Sequence, residues 1–247
     1  MKSTAERELA EIRFWENSKS ESPQSDSLES ILRKAAEAQV FLEKVDYFKK
    51  LFVSANRILE LGGGQCWASC IVKRLFSNVH VTATDISPAA VASLHKWEHI
   101  FRVKVDDVEA CSASDTPFGD KSFDLVFVFS AAHHFAQHRK TFIELARILR
   151  PGGTALYLHE PGCQSFMLSA ARWRVNAKRP WVYEDVIVYK KLMELGKETG
   201  LDVKVRFAPT ITNRGPMQTI YFFVMRQLPL LQYVLPTTVD IIIHKPA

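Results

Sequence analysis

The strongest constraint on this chain is an alternation of two hydrophobic periods between residues 57 and 207. Short alternating, β-branched or nearly continuous apolar runs, Arg57–Leu61, Val79–Thr84, Phe123–Phe129, Thr154–His159 and Leu201–Phe207, read as strands. Between them lie runs with three- and four-residue apolar spacing, Trp67–Phe76, Pro88–Ile100, Thr141–Leu149 and Glu184–Thr199, which read as helices. Strand–helix alternation of this kind predicts an open parallel α/β sheet with helices on both faces. Right-handed crossovers place every parallel strand's C-terminus on one edge, where ligands bind in such sheets. Upstream, Thr4–Glu16 and a long pattern from Leu28 to Phe48 predict two helices, joined by a Ser-rich loop over Ser18–Ser27. Downstream, the isoleucine-rich run Val239–His244 reads as a last strand.

The residues just after each strand carry the chemistry. The first strand runs into Glu60-Leu61-Gly62-Gly63-Gly64, where glycines let the backbone approach a ligand and take positive φ. The second ends in Asp85, an acid suited to accept two hydrogen bonds from a ribose diol. That pair fits any adenosine-containing cofactor. A pyrophosphate-binding fingerprint requires a third glycine at residue 67, and Trp67 stands there. A nicotinamide-dependent oxidoreductase is thereby disfavoured, and S-adenosylmethionine, which has no phosphate, is the better ligand.

ILELGGGQ, TATDIS, DTPFGDKSFDLVF, AAHHF and RILRPGGTALYL, in this order and spacing, resemble the class I S-adenosylmethionine-dependent methyltransferases, in particular the small-molecule branch with the ubiquinone- and sugar-type enzymes. The resemblance spans Arg57 to His159. It implies a Rossmann-like open sheet of seven strands, mostly parallel, the last antiparallel, behind an N-terminal helical cap. One methyltransferase domain over 1–247 is expected, with the cap at 1–53, the cofactor core at 54–160, acceptor-pocket insertions at 161–236 and the final strand at 237–247. It implies that Glu60 and Gly62, Gly63 and Gly64 wrap the amino-acid part of S-adenosyl-L-methionine, that Asp85 holds the ribose and Ile86 lies beside the adenine. Ser112 and Ala113 stand where the family has Asp-Ala at the adenine, with Asp106 or Asp107 as substitutes. Phe129 and Ser130 match the strand end that faces the sulfonium.

Methyl transfer to a hydroxyl needs alignment and a base. His133 and His134 follow the strand Phe123–Phe129, and His159 and Glu160 stand at the end of the strand Thr154–His159, so these four are the candidate catalytic residues. No carboxylate cluster suits magnesium, and no metal is expected. Acceptor choice falls to the helical cap, which could close as a lid, to Pro161–Tyr183 with Arg172, Arg174, Lys178 and Arg179, and to the aromatic stretch Pro209–Pro236, an apolar wall, a dimer surface or added core. The arginines and the net charge of +5 point to a small anionic acceptor rather than nucleic acid. The expected activity is methylation of a sugar or natural-product hydroxyl. A catalytically silent binding or scaffold protein of the same fold is the alternative. Four cysteines are too few for a disulfide framework, the N-terminus lacks an apolar signal core, and no membrane span is expected, so the reading is cytoplasmic, with a homodimer allowed.

Overall fold

The computed structural model describes residues 4–17, 28–176 and 185–247. The helices are α1 (Thr4–Asn17), α2 (Leu28–Tyr47), α3 (Lys49–Ser54), α4 (Trp67–Leu75), α5 (Pro88–Ala92), α6 (Leu94–Phe101), α7 (His138–Ile148), α8 (Leu168–Asn176), α9 (Tyr189–Thr199) and α10 (Pro216–Gln227). The strands are β1 (Arg57–Glu60), β2 (His80–Asp85), β3 (Asp107–Ala110), β4 (Phe123–Phe129), β5 (Leu149–Cys163), β6 (Ile187–Val188), β7 (Asp202–Phe207) and β8 (Thr237–His244). The sheet order is β3-β2-β1-β4-β5-β8-β7, and the two-residue β6 pairs with the far end of β5. β1 to β5 run parallel, and β8 is antiparallel to both β5 and β7. The seven-stranded sheet with an antiparallel closing strand is therefore as the sequence motifs imply.

The period of two along each strand divides the interior into two cores. Ile58, Leu125, Phe127, Leu156 and Leu158 point to one face, against Phe41 and Phe52 of the N-terminal helices, Trp67 and Trp97. Leu59, Val126, Val128, Ala155 and Tyr157 point to the other, against Phe142, Leu145 and Leu192. A strand buried on both faces has no polar side, which is why Phe123–Phe129 is apolar at every position but Asp124.

Three expectations are revised. The helix expected over Pro88–Ile100 is two helices, broken at Ser93, whose Oγ donates to the Ala90 carbonyl (2.6 Å) and competes with the helical ladder. The helix expected from Glu184 begins at Tyr189, after β6, and the Ser18–Ser27 loop lies outside the described residues. The second half of α2 is core rather than a detachable cover: Phe41 is fully buried, with its ring 5.6 Å from that of Phe127.

β5 and β8 slip register between Tyr157 and Glu160, so Leu158 and His159 together oppose Asp240. This bulge turns His159 into the left-handed region, φ 60°. Ser130, after the adjacent strand β4, is also left-handed at φ 50°. Such conformations are costly for residues with a Cβ and collect at functional sites.

Candidate functional site

A cavity of about 460 Å³ opens at the C-terminal edge of the parallel strands. It is bordered by Glu60, Gly62, Gly63, Gly64, Asp85, Ile86, Ser112, Ala113, Phe129 and Ser130, so the tertiary fold gathers all ten residues expected at the cofactor.

The turn after β1 is built around two buried carboxylates. The Gly63 amide donates to the Thr84 carbonyl (2.8 Å), and the Gly64 amide donates to Asp85 Oδ2 (2.8 Å). A Cβ on Gly63 would stand 2.7 Å from Glu60 Cδ, so any side chain there would displace that carboxylate. Glu60, 2% exposed, accepts from the Ser69 amide (3.1 Å) and from the Ser69 hydroxyl. Burial pushes its pKa up to about 7, against the pull of those bonds and with a further push from Asp85. Asp85 Oδ1 accepts from the Ser87 amide (2.9 Å). Each Asp85 oxygen thus takes one of these backbone bonds. The glycine turn, the two carboxylates and Ile86 beside them fit a zwitterionic amino acid joined to an adenosine.

Trp67 stands where a dinucleotide site needs glycine. Its indole packs edge-on against Phe41 (5.8 Å) and Phe129 (5.6 Å) and forms part of the cavity wall. Asp106 and Asp107 do not substitute for Ser112. Both lie at the start of β3, the edge of the sheet away from the cavity, where Asp106 accepts from the Val81 amide (2.8 Å) and pairs with Lys73, and Asp107 pairs with His80 (2.6 Å).

Of the four candidate catalytic residues, His133, His134 and His159 border the cavity, and Glu160 does not. Glu160 is fully buried. Its Oε1 accepts from the Ala131 (3.0 Å) and Ala132 (2.9 Å) amides, and its Oε2 from the His133 amide (3.2 Å) and His133 Nδ1 (2.7 Å). Four bonds fill the roughly four acceptor sites of a carboxylate. Glu160 therefore has no capacity for a substrate, and the expectation that it touches one is corrected. It ties the turn after β4 to β5 and fixes the His133 ring, with the proton on Nδ1.

His159 is set differently. Its amide donates to Asp240 Oδ1 (3.0 Å), and its ring stacks on Phe129 (5.8 Å, 17°). Nδ1 has no hydrogen-bond partner among the described residues. Burial, then Arg214, Lys44 and His133, hold its pKa well below the ordinary histidine value, so the ring is neutral at neutral pH. Asp240, also fully buried, binds Lys44 of α2 (3.0 Å) and Arg206 of β7 (2.5 Å). One carboxylate thus joins the N-terminal helices to the strand that holds His159.

The basic cluster expected to receive an anion is partly occupied. Arg172 forks onto Asp185 (2.9 and 3.2 Å), beyond the insertion in which no acid occurs. Arg174 lies over the rings of Tyr221 (5.2 Å) and Phe222 (5.9 Å), and Lys178 and Arg179 lie outside the described residues. The aromatic run of α10 is not a cavity wall. The preceding loop is, through Thr212, Asn213 and Arg214. Arg214 is not among the residues that sequence motifs single out. Its one signal is isolation: it is the only charged residue between Phe207 and Arg226.

Known proteins bear on this geometry. Residues 59–157 match the family described as a methyltransferase domain. Over 105 residues the chain is 31% identical to a probable phthiotriol/phenolphthiotriol dimycocerosates methyltransferase 2 of Mycobacterium ulcerans, covering 42% of this chain and 40% of the relative. It is 30% identical over 105 residues to a fatty-acid O-methyltransferase of Mycolicibacterium smegmatis, covering 42% and 37%. The chain thus spans about two fifths of the length of these curated relatives. Among solved structures, geranyl diphosphate C-methyltransferase from Streptomyces coelicolor, in complex with Mg2+, geranyl-S-thiolodiphosphate and S-adenosyl-L-homocysteine, superposes with a TM-score of 0.70 at 12% identity, over 99% of this chain and 100% of that one. The [4+2]-cyclase SpnF superposes with a TM-score of 0.59 at 15% identity, over 83% and 82%. One fold thus carries different chemistries, and the reaction must be argued from the site.

Proposed function

From a chain that carries a class I S-adenosylmethionine-dependent methyltransferase domain, we propose a methyltransferase acting on a hydroxyl of a small acceptor with an apolar, lipid- or terpenoid-like body. His133 is the base and Glu160 its positioning residue. The arrangement that carries the reading is the cavity-facing His133 whose Nδ1 is bonded to the saturated, buried Glu160 carboxylate.

When bound, S-adenosylmethionine supplies an activated methyl group on a sulfonium. Glu60 and the glycine turn would hold its amino-acid end, Asp85 its ribose, and Ile86, Ser112 and Ala113 the adenine side. Phe129 and Ser130 close the strand-end wall. The acceptor's body lies against the apolar lining of Val40, Trp67, Phe129, Pro161 and Val175. That lining favours a hydrocarbon surface over the sugar first expected.

The two histidines divide the remaining work by charge. His133 accepts the hydroxyl proton at Nε2, because the Glu160 carboxylate stabilises the imidazolium that forms, as in other base–orienter pairs. His159, surrounded by Arg214, Lys44 and His133, is held neutral and orients the acceptor by hydrogen bonding. Calorimetry with S-adenosylhomocysteine tests the cofactor assignment, and absence of binding at millimolar concentration would overturn it. A metabolite screen with a labelled methyl donor then identifies the acceptor. Labelling of sugars alone, with lipids and terpenoids unlabelled, would refute the acceptor class.

A further inference from the structure

We propose that the acceptor carries an anionic head group, a carboxylate or a phosphate, which docks on the Arg214 guanidinium in the cavity wall shared with His159. This rests on the methyltransferase reading and narrows its substrate class.

The guanidinium is fixed in place before any ligand arrives. Arg214 Nε donates to the Thr210 carbonyl (3.2 Å), and the cation lies over the Phe222 ring at 4.0 Å. Its Nη2 is buried without a hydrogen-bond partner among the described residues. A buried guanidinium N–H without an acceptor is unfavourable, and a bound oxyanion is the group that remedies it.

No carboxylate of the described residues does so. Glu37 is paired with Lys34 (2.9 Å), and Asp240 is held by Lys44 and Arg206. Glu8 accepts from the Ser112 hydroxyl (3.5 Å), and Glu43 from the Thr212 hydroxyl (3.4 Å). Glu60 and Asp85 belong to the glycine turn. The remaining charge that acts on Arg214 is the like charge of Arg174. Burial first, and then Arg174, bring its pKa down to about 10, which still leaves it cationic at neutral pH. Such a site repels cations, favours oxyanions, and offers the fork that carboxylates and phosphates match.

Position makes this a substrate contact rather than a distant surface charge. Arg214 lines the same cavity as His133 and His159, and its charge is felt at the His159 ring. An anion on Arg214 would place the attached body along the apolar lining, toward the strand-end wall at Phe129 and Ser130. It would also offset one of the charges that keep His159 from protonating.

The test uses the full chain loaded with S-adenosylhomocysteine and three probes that share one tail: decanoate, decyl phosphate and 1-decanol. We expect at least one acid to bind about tenfold or more tighter than the alcohol, the effect of one charge-assisted pair. The acid that binds tighter identifies the head group. Arg214→Gln should collapse that preference to within about threefold, while Arg214→Lys retains part of it and both variants bind S-adenosylhomocysteine as the unmodified protein does. Equal or absent binding of acids and alcohol by the unmodified protein overturns the proposal without need of a variant. So does a preference that survives Arg214→Gln. Failure to bind S-adenosylhomocysteine counts against the methyltransferase reading instead, so the two failures are distinct.

Discussion

The two halves of the cavity treat their polar groups in opposite ways. Around the glycine turn, Glu60 and Asp85 are bonded to the Ser69, Gly64 and Ser87 amides, and the turn is held in shape by the protein's own groups. Around β5 and the loop before α10, His159 Nδ1 and Arg214 Nη2 are buried with no partner among the described residues. On the proposed reading, the first half is a preformed cradle for a ligand of constant structure, and the second keeps donors and acceptors in reserve, at a cost in stability, for a ligand that the protein must select. Glu160 shows how the halves are joined, since the carboxylate that fixes His133 also fixes the turn after β4.

The largest effect that would test this contrast lies at His133. His133→Gln should lower turnover by about 10²–10⁴-fold, the usual worth of a general base, with S-adenosylhomocysteine affinity unchanged. Glu160→Gln should lower turnover less and move the acidic limb of the pH–rate profile to lower pH, because a neutral amide no longer stabilises the imidazolium. Identical profiles for Glu160→Gln and the unmodified enzyme would leave Glu160 a purely structural role.

Asp240→Ala should come next in size. It strands Lys44 and Arg206 beside a strand interior and frees the His159 amide, and breaking a buried pair of this kind costs about 3–5 kcal/mol. Denaturant titration reads that loss directly. A change below about 1 kcal/mol would show that the cluster is solvated rather than buried.

At the cradle, Asp85→Ala should weaken S-adenosylhomocysteine binding by at least about tenfold, since it would remove the proposed ribose contact along with the bond from Gly64 that shapes the turn. Unchanged affinity in calorimetry would remove Asp85 from the ribose site.

Glu60 gives the smallest and most diagnostic effect. Its pKa is about 7 in the folded protein against 4.5 for an unperturbed glutamate, so the folded state holds the extra proton between those values. Stability of the free protein should therefore decline as pH rises through that window. A ligand ammonium favours the ionised form, so S-adenosylhomocysteine affinity should rise about tenfold between about pH 6 and about pH 8. A flat profile would place Glu60 away from the ammonium.

The cradle was legible in the sequence because it is local. The glycine turn, Asp85 and Ser112-Ala113 each follow a strand, and a parallel sheet delivers all strand ends to one edge. The acceptor half was legible only as types of residue. Arg172 drew attention within a basic run, yet Asp185, 13 positions on, neutralises it. Arg214 carried no pattern, and only the fold brings its loop to the cavity. Glu160 looked like a base, and only the return of the turn after β4 shows that its four acceptor sites are filled.

Residue order alone specified the sheet, its two faces and the cofactor edge, since these follow from periods of two and 3.6 and from glycine and acid at strand ends. Which side chains keep unsatisfied capacity was settled by the assembled fold. That capacity depends on partners far apart in the chain, as Asp240 with Lys44 and Glu160 with His133. Hydrogen-bonding saturation is a property of the completed neighbourhood and has no signature along the chain.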